Sequence, residues 1–260
     1  MNLGQWISKR SQLNPRDAFL LGKSGNISNR RFDAMVSSTA NALAADMVIK
    51  GDRVAVMLGN SSAYLELFFA CAKLGAIMVP LNPHQALPEL IYIIEDCIPV
   101  ILIHADGDQD KADQLTTLTK RPLKTRSIGP VKGQTHSAYP QRLSTFGEDG
   151  SQRKTSVGND DPLMIIYTSG TTGNPKGAVL THGNFLYGAI HALLNYRIDS
   201  GYRSLVVAPL YHIGALAASV TPIVYAGGSL MLSCFEYPAE TLQIITQKKI
   251  NYMFAVPVMY

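Results

Sequence analysis

The sequence predicts an α/β fold: doubly wound, mostly parallel sheets flanked by helices. Three observations carry that prediction. Short apolar runs of strand length alternate with helix-length amphipathic stretches over residues 53–104. The same alternation resumes after residue 161 and continues to residue 256. The chain is 47% hydrophobic and 16% charged, which suits a globular protein with a sizeable core and argues against disorder. Strands that alternate with helices imply parallel pairing through crossovers.

The elements follow in order. Arg30–Asp46 reads as an amphipathic helix and Arg53–Leu58 as an apolar strand. Asn60 or Ser61 can cap a helix over Ala63–Leu74, which presents Leu65, Phe68, Phe69 and Ala72 on one face and stops at Gly75. Ala76–Leu81 is a second strand. Pro88 suits the first turn of a helix over Pro88–Asp96, and Pro99–His104 is a third strand. Lys73 and Asp52 read as solvated surface charges.

Residues 105–160 change character. Polar and charged side chains dominate, and Gly, Pro and Ser recur between Ser127 and Asp161. We read 1–104 as a first α/β region, 105–160 as a variable surface segment with little regular structure in its second half, and 161–260 as a second α/β region. In that last region Leu163–Tyr167 is a strand, Ser169–Gly177 a loop and Ala178–Leu180 a short strand. A helix starts at Thr181 or His182 and reaches Tyr196. Ser204–Pro209 is a strand, Ala215–Tyr225 a buried helix and Ser229–Ser233 a strand. Ala239–Lys248 is a helix and Tyr252–Val256 the final strand.

Net charge is +4 with no long basic block, so nucleic acid is not an expected partner. Cys71, Cys97 and Cys234 are odd in number and show no CxxC spacing. They read as small buried hydrophobes in a reducing, cytoplasmic setting. Residues 204–235 contain no Asp, Glu, Lys or Arg, but Pro209, Pro222 and Gly227-Gly228 interrupt them, and Tyr211 and His212 add polarity. A buried helix followed by a buried strand fits better than a span, while peripheral membrane contact stays open.

The chemistry concentrates in Tyr167–Gly177, YTSGTTGNPKG. Gly170, Gly173 and Gly177 allow the backbone to turn its amides toward an anion. Thr168, Ser169, Thr171 and Thr172 add four hydroxyls, and Lys176 adds a full positive charge stiffened by Pro175. Together these describe a polyphosphate cradle. It differs from the common nucleotide loop, which needs Lys followed by Ser or Thr and then a helix; here Gly177 follows Lys176 and a strand comes next. A glycine-rich hairpin without a ligand is the bland alternative for such a loop.

This loop, continued by Ala178-Val-Leu-Thr-His182, resembles the signature loop of the adenylate-forming superfamily. That superfamily includes acyl-CoA synthetases, aryl-CoA ligases, luciferases and peptide-synthetase adenylation domains. Gly51-Asp-Arg-Val-Ala-Val, Asn60-Ser, Ala72-Lys-Leu-Gly-Ala76, Val79-Pro-Leu-Asn-Pro83, Asp160-Asp-Pro162, Pro209-Leu-Tyr-His-Ile-Gly214 and Ala255-Val-Pro257 resemble further family landmarks in the expected order.

The resemblance implies a fold and a reaction. The chain would be the N-terminal part of an AMP-forming acyl-CoA synthetase, with ATP and Mg2+ as cofactors and coenzyme A as co-substrate. Thr168, Ser169, Gly170, Thr171, Thr172, Gly173 and Lys176 would hold the phosphates. Lys176 and Thr172 would act in catalysis, and Thr171 and Thr172 would reach the magnesium ion. Tyr211, His212 and Gly214 would line the pocket of a carboxylic acid, with a fatty acid favoured by the small apolar side chains of Gly214–Val220. A hydrogen-bonded core histidine is the other reading of His212. The adenine and ribose segments, the hinge and the C-terminal lid domain with its lysine are expected beyond residue 260, so residues 1–260 alone are expected to be inactive and prone to self-association. A non-catalytic remnant or interaction module of the same fold, and other adenylate-forming activities, stand as alternatives.

Overall fold

The computed structural model describes residues 2–22, 25–129, 156–168, 174–233 and 238–259. Two mostly parallel sheets share the chain. In the first sheet the strands are β1 (Ala18–Leu21), β2 (Ile27–Ser28), β9 (Arg203–Val206), β10 (Ser229–Leu232) and β11 (Tyr252–Phe254). Their order is β11-β9-β10-β1-β2, and only the edge pair β1–β2 is antiparallel. The second sheet holds β3 (Arg53–Met57), β4 (Ile77–Pro80), β5 (Ile101–Ala105), β6 (Lys124–Ile128), β7 (Pro162–Thr168) and β8 (Lys176–Thr181). Its order is β6-β5-β3-β4-β7-β8, with β8 antiparallel at the edge. The mostly parallel α/β expectation therefore holds in both sheets.

Burial explains the continuous apolar runs. In β3, Val54 and Val56 pack into one cluster, while Ala55 and Met57 pack into a second on the opposite face. A strand covered on both faces has no side left for alternating polar residues. The first cluster also takes Leu3 and Ile7 of α1 (Leu3–Leu13), Phe32 and Val36 of α2 (Asn29–Ala45), Phe68 and Phe69 of α3 (Ser62–Leu74) and Phe185 of α6 (His182–Tyr196). It reaches Val206 and Leu230 of the first sheet, so one core joins the two sheets. The second cluster rests on α4 (Leu87–Cys97) and α5 (Gln109–Leu118).

Several boundaries move for identifiable reasons. Ser61, not Asn60, caps α3, its hydroxyl accepting from the Tyr64 N–H at 3.3 Å. Gly75 ends that helix at φ 73°, as the sequence suggests. Thr181 caps α6 in a reciprocal capping box with Asn184. Helix α1 and strands β1 and β2 have no counterpart in the sequence reading. The signals for α1 are present but sparse: an Asn2–Gln5 capping box and the apolar residues Leu3, Trp6 and Ile7. Its buried face also takes Arg10, which breaks the apolar pattern.

Lys73 is a correction. Its side chain is only 10% exposed, and its ammonium lies 2.7 Å from Asp33 and 2.9 Å from the Ser37 hydroxyl. It sits at the crossing of α1 and α3, where a Cβ on Gly4 would meet the Lys73 backbone at 2.7 Å. The buried helix expected over Ala215–Tyr225 is two pieces. Ala215–Val220 is π-helical, with the Thr221 N–H bonded to the Leu216 carbonyl five residues back, and α7 (Thr221–Ala226) follows. Pro222 has no N–H to give the Ala218 carbonyl; the Tyr252 hydroxyl donates to it instead at 3.0 Å. Helix α8 (Pro238–Lys248) precedes β11, which ends at Phe254 before a single 3-10 turn. Cys71 and Cys97 are buried free thiols; Cys234 lies outside the described residues. Among the described residues no helix is long and apolar enough to cross a membrane.

Candidate active site

Open parallel sheets bind ligands beyond the carboxyl ends of their strands, and Thr168 and the Tyr211–Gly214 segment each lie at or after such an end. β7 runs parallel to β4 and ends at Thr168. The chain returns as β8, whose first residue is Lys176. Thr168 faces Lys176, and Tyr167 faces Gly177, in the antiparallel register. Thr168 and Lys176 are both exposed, so a hydroxyl and an ammonium stand on the two stems of the loop. Ser169, Gly170, Thr171, Thr172 and Gly173 lie outside the described residues. The strand expected at Ala178 begins two residues earlier, placing Lys176 on a strand end rather than within a loop.

The stem is braced from below. A Cβ on Gly177 would lie 2.8 Å from Ile165 Cγ2 and 3.1 Å from Tyr167 Cζ, so the Tyr167 ring occupies the space a side chain would need. The Tyr167 hydroxyl donates to the Asp96 carboxylate on α4. Burial, followed by that bond, raises the Tyr167 phenol well above its ordinary value. A cavity of about 350 Å3 opens beside the stem, lined by Glu89, Tyr92, Tyr167, Thr168, Asn174 and Pro175 among others.

Tyr211, His212 and Gly214 lie after β9, in the other sheet. The His212 N–H bonds to the Pro209 carbonyl at 3.0 Å and the Ala215 N–H to the His212 carbonyl at 3.2 Å, so the segment is a tight turn entering the π-helix. Tyr211 is half-buried, and burial raises its phenol; its ring lies 5.0 Å from the His212 ring. His212 is exposed, which sets aside the core-histidine reading. At Gly214 a Cβ would meet the Phe254 ring at 3.2 Å. Phe254 of β11 therefore packs against this turn, and the Tyr252 hydroxyl donates to the Ala218 carbonyl just beyond it. In the sequence they read only as strand residues, because nothing local connects β11 to residues some forty positions earlier.

Asn60 is the residue that ties the two halves together, and the sequence reading gave it no such role. Its amide bonds to Ala208, Leu210 and Ser233. These contacts bring the carboxyl end of β3 against the carboxyl ends of β9 and β10.

The donor set suits an anion. Among the described residues no group of three or more His, Cys, Asp or Glu could hold a metal. A magnesium ion at this loop would take hydroxyl and phosphate oxygens, hard ligands of the kind it prefers.

Comparison with known proteins gives the family and the fold. A family model described as AMP-binding enzyme matches residues 7–260. A feruloyl-CoA synthase of Amycolatopsis sp is 33% identical over 258 residues, covering 99% of this chain and 49% of that protein. A long-chain-fatty-acid–CoA ligase of Mycobacterium tuberculosis is 30% identical over 264 residues, covering 98% of this chain and 50% of that protein. The inhibitor-bound N-terminal domain of FACL13 from Mycobacterium tuberculosis superposes with a TM-score of 0.85 at 26% identity, covering 99% of this chain and 63% of that one. The chain thus spans about half the length of the curated relatives it matches.

Proposed function

The chain belongs to the AMP-binding enzyme family, and on that premise we propose that it forms the N-terminal portion of an ATP-dependent carboxylate–CoA ligase. The observation that carries the reading is the pairing of Thr168 with Lys176, the two stems of one hydroxyl-rich loop at the carboxyl end of a parallel strand.

In the proposed reaction a carboxylate oxygen attacks the α-phosphorus of ATP and pyrophosphate leaves. The coenzyme A sulfur then attacks the acyl carbon, and AMP leaves. Charge builds on the departing pyrophosphate in the first step, where placed donors stabilise it most. Lys176 supplies a full positive charge there, and Thr168 with the loop's hydroxyls and amides supplies hydrogen bonds. A magnesium ion would neutralise phosphate charge there, and Thr171 and Thr172 are the residues that would hold it. Tyr211, His212 and Gly214 would hold the acid against that centre.

The relatives are a feruloyl-CoA synthase and a long-chain-fatty-acid–CoA ligase, so they share no single acid. An aliphatic acid is our narrower proposal, supported by the absence of any bulky aromatic side chain in Gly214–Val220. The test is carboxylate-dependent pyrophosphate release by the full-length protein that carries this segment, over a panel of aliphatic and aromatic acids. Release driven best by an aliphatic acid supports both levels. Release driven best by an aromatic acid overturns only the narrower one. No acid dependence across the panel would favour the non-catalytic reading. Replacing Thr171 and Thr172 by Val should raise the magnesium-ATP concentration needed for half-maximal release; an unchanged requirement would remove both hydroxyls from the phosphate site.

A further inference from the structure

Asn60 follows β3 and precedes α3, and the pair Asn60-Ser61 could have served as a helix cap. Ser61 takes that task, so the Asn60 amide is free to leave its own element. It crosses to the other sheet. Its Nδ2 donates to the Ala208 carbonyl at 3.0 Å and to the Ser233 carbonyl at 3.4 Å. Its Oδ1 accepts from the Leu210 N–H at 2.8 Å. Two carbonyls and one N–H leave a single amide orientation that satisfies all three partners.

The partners matter by their position. Ala208 and Leu210 bracket Pro209, and Tyr211, His212 and Gly214 follow directly. Ser233 is the residue after β10, and its own N–H bonds to the Val206 carbonyl at the end of β9. Past Val206 the chain stops following the sheet ladder: β9 ends four residues before Leu210. The Leu210 N–H and the Ala208 carbonyl lie in buried residues and would be costly to leave unpaired. The sheet that carries the phosphate loop supplies their partner through this one side chain.

We propose that Asn60 is a positioning residue that sets the acid-pocket segment Ala208–Gly214 at its working distance from the sheet bearing Thr168 and Lys176. The inference rests on the reading of Tyr211, His212 and Gly214 as the acid site. Asn60 itself touches no reacting atom; it acts through the backbone it holds. Its loss should therefore disturb the acid and spare the nucleotide phosphates, which the proposed function assigns to the stem formed by β7 and β8.

The test uses the full-length protein and two variants, Asn60→Ala and the near-isosteric Asn60→Asp, which keeps an acceptor but loses both donated bonds. Steady-state pyrophosphate release is measured against acid and ATP separately, with two acids of different length. In both variants KM for the acid should rise about tenfold, a shift of ~1.4 kcal/mol. The ratio of kcat/KM between the two acids should move toward one, and KM for ATP should stay within about twofold. Hydrogen exchange is followed in parallel. The peptide containing Leu210 should lose protection in Asn60→Ala, while peptides from β7 and β8 should not. A general loss of stability would lower the active fraction without changing either KM. Parental acid KM, parental selectivity and parental Leu210 protection in folded variants would overturn the proposal. So would failure of both variants to fold, which would make Asn60 a general stabiliser. A parental protein with no acid-dependent activity would instead sink the functional reading; protection at Leu210 would then still report whether Asn60 holds the segment.

Discussion

At the scale of single residues, position decides what a charge can do. Lys176 is exposed at the first residue of β8, with its side chain outside the core clusters. Lys176→Ala should therefore change stability by no more than about 0.5 kcal/mol. In the full-length protein it should lower the adenylation rate. An adenylation rate equal to the parental one would remove Lys176 from the mechanism. Two buried groups behave differently. His182 is fully buried, and its Nδ1 accepts the Leu3 N–H at 3.4 Å. Burial lowers its pKa from 6.5 to about 4, against a smaller opposing pull from Asp161. Its neutral form is favoured in the folded state, so its contribution is full above pH 6.5 and is lost as pH falls toward 4. The loss is ~3 kcal/mol. Glu66 runs the other way. Burial raises its carboxyl to about 7, with a smaller downward pull from the Ser62 and Thr39 hydroxyls, neither at full hydrogen-bond geometry. Its protonated form is favoured in the folded state, so its contribution is full below pH 4.5 and lost as pH rises through 7. In urea unfolding, His182→Gln should flatten the acid side of the stability profile, and Glu66→Gln should stabilise the chain at pH 8. A profile for either variant parallel to the parent's would refute that residue's share.

At the scale of elements, the least legible pieces are those that lean on distant partners. Arg10 lies on the buried face of α1, and its guanidinium donates to the Gly227 carbonyl at 3.0 Å and the Gly228 carbonyl at 2.8 Å. These are the carbonyls just past α7, where a positive charge suits the helix end. The side chain also lies 5.2 Å from the Phe19 ring centroid. Burial lowers its pKa from 12.5 to about 10, yet it stays charged near neutral pH. Arg10→Met should cost ~2–4 kcal/mol, because it strands the buried Gly228 carbonyl and the part-buried Gly227 carbonyl. Equilibrium unfolding at pH 7 measures this, and a cost below about 0.5 kcal/mol would make the contact incidental. A sequence pattern that expects apolar residues on the inner face of a helix passes over α1 for this very arginine. β1 is four residues long and, besides its neighbour β2, pairs with β10, some two hundred positions away. The π-helical turn is similar: Pro222 signals a missing N–H, but only Tyr252 shows where the stranded Ala218 carbonyl goes.

Across the whole molecule, one cluster runs from α1 through α2, α3 and α6 to the inner strands of both sheets. A core shared in this way leaves neither sheet able to bury its apolar face alone. The two sheets should therefore unfold together. Trp6, the single tryptophan, is 3% exposed on α1 beside Tyr225 of α7, and it reports on the first sheet's helices. Its fluorescence and the far-UV circular dichroism of residues 1–260 should trace one coincident denaturant transition. Two separated midpoints would show that the sheets are independent units.

The amino-acid sequence by itself determined the parallel α/β class, the elements from β3 to β5, and the hydroxyl-rich loop between Thr168 and Lys176. These rest on short-range physics: periodicity within one element, capping and turn chemistry, and a donor set contained in eleven consecutive residues. Only the tertiary structure decided that Ser61 rather than Asn60 caps α3, that Lys73 and Arg10 are buried with partners, and that Phe254 closes on Gly214. It also decided that Asn60 spans from one sheet to the turn leading into Tyr211 and His212. Each of those outcomes depends on which distant carbonyl, carboxylate or ring the folded chain brings within a few ångströms. A local pattern records that a side chain can donate or accept, but the partner is chosen by the packing of the two sheets against their shared helices.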